Sequence, residues 1–134
     1  MHFSKTASYS LNILSYMATH ELDQLSAASL HEKLGIPYPY LRQILANLSR
    51  SGFIQSVRGR SGGFVFSKRK EEIFLSDIIE ATDGLQSLNH CLLGFRECPF
   101  NNNCAMHSVW EETRNSILKV LKETSLLDIS KKRT

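Results

Sequence analysis

Three cysteines and a histidine lie in one short stretch, Cys91-x6-Cys98-x5-Cys104-x2-His107, and no other cysteine occurs in the chain. Thiolate sulfur prefers zinc, copper(I) or iron–sulfur clusters, and a nearby imidazole nitrogen can complete a four-ligand set. A soft-metal or redox centre is therefore the leading reading. Zinc fingers draw their ligands in through tight Cys-x2-4-Cys knuckles. Here the cysteines are strung along a loose segment with Leu92, Leu93, Gly94, Phe95, Pro99 and three asparagines between them. That spacing suits a wider object than one ion. The competing view is three unrelated thiols, since free cysteine is also a common small buried residue. Confinement of every cysteine to one polar, turn-rich segment argues against it. Oxidative stapling is weaker still, because three is an odd number and no signal peptide marks a secretory route. Cys104 and His107 stand three apart at the expected start of a helix, so they share one face. A helix N-terminus also favours Cys104 as thiolate. Cys91 and Cys98 would close over from the loop; His90 is a spare candidate ligand, read in preference as a solvent-exposed loop histidine.

These residues are carried by a chain of 134, one domain's worth and long enough to bury an apolar core without help from metal. The longest apolar runs fall far short of the roughly eighteen residues that a membrane span needs, so no membrane is expected and a cytoplasmic location follows by default. The net charge of +3 is unevenly divided: residues 1–70 carry nine Lys or Arg against three acids, and residues 71–134 carry seven against ten. The basic half should face a polyanion.

In that half, Ala7, Leu11, Leu14 and Ala18 recur at spacings of three and four, with Ile13 and Met17 widening the stripe, which predicts a core helix over 4–20. A shorter helix is expected from Ala27 to Leu34, with Ser26 as N-cap and Gly35 as its stop. Pro37 and Pro39 then lead stiffly into a third helix, whose buried stripe is Leu41, Ile44, Leu45 and Leu48. Its other face holds Arg42, Gln43, Asn47 and Arg50. A short helix, a turn beginning with glycine and a helix with a basic outer face make the pattern of a helix-turn-helix. Two β-rich runs, 52–57 and 64–66, flank Arg58-Gly59-Arg60-Ser61-Gly62-Gly63. They read as a hairpin wing rather than a phosphate loop, because no helix start and no Lys-Ser/Thr pair follow the glycines. Tyr38, Tyr40, Arg42 and Gln43 are the base-edge candidates: arginine with guanine, glutamine with adenine, the tyrosines with phosphate or a thymine methyl. Of the two tyrosines, Tyr40 is expected to be the more internal. Arg58 and Arg60 suit a narrow minor groove.

A fourth helix is expected to open at Leu75-Ser76-Asp77 with Ser76 as cap and to stop near Gly84. After the cysteine segment a long helix should run from about Asn103 to Glu123. Trp110, Ile117, Val120 and Leu121 are its candidates for pairing with a second copy, although it could instead fold back on helix one. Residues 130–134 should be a frayed tail.

Several stretches now combine: Ser4-Lys5-Thr6-Ala7-Ser8-Tyr9-Ser10-Leu11; Gly35-Ile36 with Tyr40-Leu41-x-Gln43-Ile44-Leu45; Val57-Arg58-Gly59-x-x-Gly62-Gly63-Phe64; the cysteine segment; and Ser125-Leu126-Leu127-Asp128-Ile129. Together they resemble the Rrf-two (Rrf2) family of bacterial winged-helix transcription regulators over essentially the whole chain. Cys104-x2-His107 is most similar to the family's iron–sulfur cluster regulators, where that ending ligates a two-iron cluster. The resemblance implies a mainly α fold: a winged helix-turn-helix with a small β-hairpin wing and a long C-terminal dimerisation helix. Its parts are a DNA-binding domain over 1–84, a cysteine-rich cluster-binding loop over 85–107, and the dimerisation helix with its C-terminal segment over 103–129. It further implies a homodimer on double-stranded DNA with a partly palindromic operator. Cys91, Cys98, Cys104 and His107 would hold an iron–sulfur cluster, two-iron favoured and four-iron possible, as a redox or nitric oxide sensor. Zinc, or a thiol–disulfide switch on the same dimer, is the alternative. The first spacer, six residues, is one longer than in those regulators, and Arg42 stands where they carry an acidic base-reading residue. Four-iron relatives take a carboxylate from the first helix, where this chain has Ser8. No enzyme is expected: a thiol nucleophile would need a substrate pocket and a third orienting residue, which nothing supplies.

Overall fold

The structure is a computed structural model that describes residues 3–23, 25–59, 62–89, 91–93, 95 and 98–131. Helix α1 (Lys5–Thr19) begins where Ser4 leaves extended backbone and its hydroxyl accepts the Ala7 N–H at 3.0 Å. Helix α2 (Ala27–Leu34) starts the same way, with Ser26 accepting from the Ser29 N–H at 3.1 Å. It stops at Gly35, whose left-handed φ of +68° lets its N–H turn back to the His31 carbonyl at 2.9 Å. His31 Nδ1 donates to the Ile36 carbonyl at 2.6 Å, tying α2 to the turn. Helix α3 (Tyr38–Arg50) follows Pro37 and tolerates Pro39 because first-turn N–H groups have no partner inside a helix. Leu41, Ile44, Leu45 and Leu48 bury its inner stripe as predicted.

Strands β1 (Ile54–Val57) and β2 (Gly63–Phe66) pair antiparallel, with Ile54 opposite Phe66 and Val57 opposite Gly63. A Cβ on Gly63 would lie 2.7 Å from the Leu25 carbonyl oxygen, so only glycine lets the wing approach so closely. The approach brings the Phe64 N–H to that same oxygen at 2.8 Å and docks the wing on the helix-turn-helix.

A turn of 3-10 helix (Lys70–Glu72) leads into α4 (Leu75–Thr82); a second 3-10 turn (Leu85–Asn89), α5 (Ala105–Glu123) and α6 (Leu126–Ser130) follow. The cap of α4 differs from expectation. Phe74 occupies the N-cap position, the Asp77 carboxylate accepts its N–H at 2.9 Å, and Ser76 is buried inside the first turn. A carboxylate three residues into a helix can satisfy that donor whatever the cap residue.

Helix α4 divides two apolar clusters. Ile78 joins the larger, with residues of α1, α2, α3, the wing and Leu126, while its neighbour Ile79 joins a small one with Leu88 and Leu121. The element lying back on α1 is α6, not the long helix: α5 packs on α4. The Leu126 N–H bonds the Ile73 carbonyl at 2.8 Å and the Leu75 N–H bonds Thr124 at 2.9 Å, which anchors the end of α5 to the start of α4. Among the described residues, no helix is long and apolar enough to cross a membrane.

Candidate metal centre and nucleic-acid interface

Helix α5 begins at Ala105 because Cys104 caps it: the Cys104 sulfur accepts the Met106 N–H at 3.3 Å. Cys98 has a matching partner, the Asn102 N–H at 3.3 Å. That donor is aimed by a left-handed turn, with φ of 51° at Asn101 and 63° at Asn102, a conformation that asparagine adopts more readily than other non-glycine residues. Cys91, Cys98 and Cys104 are all free thiols, half-buried. Together with His107 they line one cavity of about 180 Å³, walled also by Phe95, Phe100, Trp110 and Arg114. Among the described residues, no three His, Cys, Asp or Glu side chains come close enough to hold a metal ion. The four expected ligands thus share the walls of a cavity rather than converge on one point.

The donor set fits an iron–sulfur cluster on three counts. The residues are thiols and an imidazole, two backbone N–H groups point at sulfurs, and Arg114 Nε is a buried donor without a hydrogen-bond partner among the described residues. His107 Nε2 stands 3.5 Å from Glu111 one turn on. A ring whose Nε2–H faces a carboxylate has Nδ1 left for a metal. His90 lies outside the described residues.

The long helix carries two stripes. His107, Trp110, Arg114, Ile117, Leu118 and Leu121 face the chain's own cavity and small cluster. Of the expected pairing residues, Trp110 and Ile117 are therefore half-covered within the chain and Leu121 is 8% exposed. Val120 is 59% exposed on the other stripe, with Val109 at 54%.

On α3, Arg42 and Gln43 are exposed. Asn47 Oδ1 receives the Gln43 amide at 3.2 Å and the Arg50 guanidinium, and Asn47 and Arg50 line a groove against Thr6 and Ala81. These two lie farther from the start of α3 than Arg42 and Gln43. Tyr38 stacks edge-on against His31 at 5.5 Å and Tyr40 against Tyr9 at 5.9 Å. Contrary to expectation Tyr40 is the more exposed, 49% against 40%, because Tyr9 supports its ring from beneath without enclosing it. Arg58 is exposed at the wing; Arg60 lies outside the described residues.

A family model described as Rrf2, iron-dependent transcriptional regulator, matches residues 3–132. The chain belongs to the Rrf2 family. As an Rrf2 protein it is a DNA-binding transcription regulator rather than an enzyme. It is 32% identical over 131 residues to an Aquifex aeolicus protein named for an HTH-type transcriptional regulator, covering 96% of this chain and 91% of that one. Its identity to the HTH-type transcriptional regulator IscR of Xenorhabdus nematophila is 26%, over 98% of this chain and 80% of that one. Among solved structures, CymR, the global cysteine regulator of B. subtilis, superposes with a TM-score of 0.76 at 25% identity, over 97% of this chain and 96% of that one. IscR of T. potens superposes with 0.70 at 29%, over 96% and 85%. The Rrf2 neighbours bear out the winged-helix architecture and the likeness to IscR.

Proposed function

We propose that this Rrf2 regulator is a homodimer of the bacterial cytoplasm whose operator binding is set by an iron–sulfur cluster on Cys91, Cys98, Cys104 and His107. The observation that carries the reading is the single cavity at the start of the dimer helix that all four residues line. The loose Cys91-x6-Cys98-x5-Cys104 spacing, without tight Cys-x2-4-Cys knuckles, favours a multi-iron cluster over one zinc ion. When bound, such a cluster supplies a centre that changes charge on reduction and degrades with oxygen or nitric oxide.

The chain's own residues link that cavity to DNA. Asp83, at the end of α4, accepts the Ser4 N–H at 2.9 Å and also the Ser4 hydroxyl, so the residue that caps α1 is held by the residue that begins the loop. Glu80 accepts the Leu85 N–H at 2.8 Å, fixing the first turn of the loop to α4. Reordering the loop therefore bears on α1 through Asp83 and on the partner subunit through α5. In the dimer, Tyr38, Tyr40, Arg42 and Gln43 of each copy would read successive major grooves of a partly palindromic operator, with Arg58 and Arg60 in the flanking minor groove.

The test is anaerobic purification with a visible spectrum, iron and sulfide counts, and operator binding before and after the cluster is removed. Matching iron and sulfide with changed DNA affinity is the expected result. A colourless protein that binds zinc, or whose affinity follows a reversible disulfide, would move the centre to the alternative chemistry on the same DNA-binding dimer.

A further inference from the structure

Resting on the cluster reading, we infer that Arg114 is the counter-cation of the centre in this cavity and sets how readily it is reduced. Cys104, His107, Glu111 and Arg114 follow one another at three- and four-residue intervals, which places them on one face of α5. Arg114 lines the cavity one turn before Ile117 and Leu118, which pack with Leu121 in the small apolar cluster. Arg114 as a whole is half-buried, but its Nε has almost no contact with solvent and no hydrogen-bond partner among the described residues, and none of the ion pairs among those residues involves its guanidinium. Glu111, in the same cavity wall, stands against His107 instead.

A guanidinium stays protonated throughout the pH range of folded proteins, so it cannot relieve the covering of its Nε by losing its charge. A buried donor with no acceptor is costly unless an anion faces it. The same cavity directs the Asn102 and Met106 N–H groups at sulfur. Positive charge and donors thus accumulate where three thiols gather, which is the environment of an anion. An iron–sulfur core on three thiolates and a neutral imidazole is a net anion. One electron from an external one-electron reductant turns one ferric iron ferrous and makes the core more negative. A fixed cation beside it favours that reduced form.

The experiment uses the full-length, anaerobically purified protein and its Arg114→Gln, Arg114→Met and Arg114→Lys variants. Helicity and iron and sulfide counts come first, then a mediated dithionite titration followed by visible bleaching and by the paramagnetic signal of the reduced form. In Gln and Met the ratio of reduced to oxidised cluster at a fixed potential should fall about tenfold, which for one electron is about 59 mV. Lys, which keeps the charge but loses the planar donor, should fall less. Loss of the cluster from Gln and Met with retention in Lys also supports the assignment. An unchanged midpoint in both Gln and Met overturns it, as does cluster loss or unfolding in all three variants, since Arg114 would then act through packing. A wild-type protein without iron and sulfide would instead overturn the cluster reading itself.

Discussion

Arg42 and Arg58 carry the same charge to different parts of a duplex. Arg42 leaves the exposed side of α3 near the start of that helix, so Arg42→Ala should relax preference at one position per half-site, at a cost of about 1–3 kcal/mol there. Arg58 is exposed at the wing, so Arg58→Ala should weaken binding to many sequences alike and make it less sensitive to salt. Titrations of single-base operator variants at two salt concentrations separate the two, and a uniform loss for Arg42→Ala would reassign it to phosphate. At the cavity, His107→Ala should alter the cluster spectrum or lower iron content while His90→Ala leaves both unchanged; identical spectra for wild type and His107→Ala would remove His107 from the ligand set. That the three cysteines and His107 belong to one place was legible because cysteine is rare and its spacing conspicuous, and the structure puts all four on one cavity wall. Glu111, Arg114 and the left-handed asparagines were not. A charge two or three turns along a helix reads as a solvated face until a loop folds over it, and nothing local to Arg114 announces that its Nε will be covered.

Among the elements, α6 shows how a short helix is held in place. Ser125 and Asp128 form a reciprocal cap: the carboxylate accepts the Ser125 N–H at 2.9 Å and hydroxyl at 3.1 Å, and the hydroxyl accepts the Asp128 N–H at 3.2 Å. Ser125→Ala should cost about 0.5–2 kcal/mol, measured by denaturant unfolding. Those two donors hold the Asp128 carboxyl below the usual aspartate range. Its contribution is therefore complete at neutral pH. As pH falls through the ordinary aspartate value, the unfolded chain takes up a proton that the folded chain resists, and stability declines until pH passes below the lowered folded value. Asp128→Asn should flatten that part of the acid-stability profile; an unchanged profile would mean the cap adds nothing. Ser26, Gly35 and the α3 stripe were readable because each acts within its own turn. The cap of α4 was misread, since serine there goes inward and Asp77 does the capping. Periodicity also showed that α5 has apolar positions without telling which stripe meets the chain and which a partner, because Ile117, Val120 and Leu121 are all apolar and only the placement of α4 sorts them.

For the molecule as a whole, that sorting sets opposite outcomes for neighbouring substitutions. Val120→Asp should leave the protomer folded but shift sedimentation toward the monomer and lower operator affinity, because Val120 is exposed. Leu121→Ala should destabilise the protomer by about 2–5 kcal/mol, as it removes a buried side chain. A stable dimer in Val120→Asp would place the partner on another face. Alanine at Cys91, Cys98 or Cys104 should leave helicity intact while abolishing the bound iron, since both clusters are apolar and neither contains a cysteine; outright unfolding would make the centre structural. The two clusters are far from equal: among the described residues sixteen buried side chains form one and three form the other, and the cysteine loop hangs from the small one. Opening should begin there while the DNA-binding half stays closed. Anything that binds only the closed loop holds that small cluster shut by mass action. Proteases should then nick the empty protein first between residues 91 and 103 and spare the loaded one, so that, with the proposed cluster as the bound group, the supply of iron and sulfide would govern how long each molecule survives in the cell.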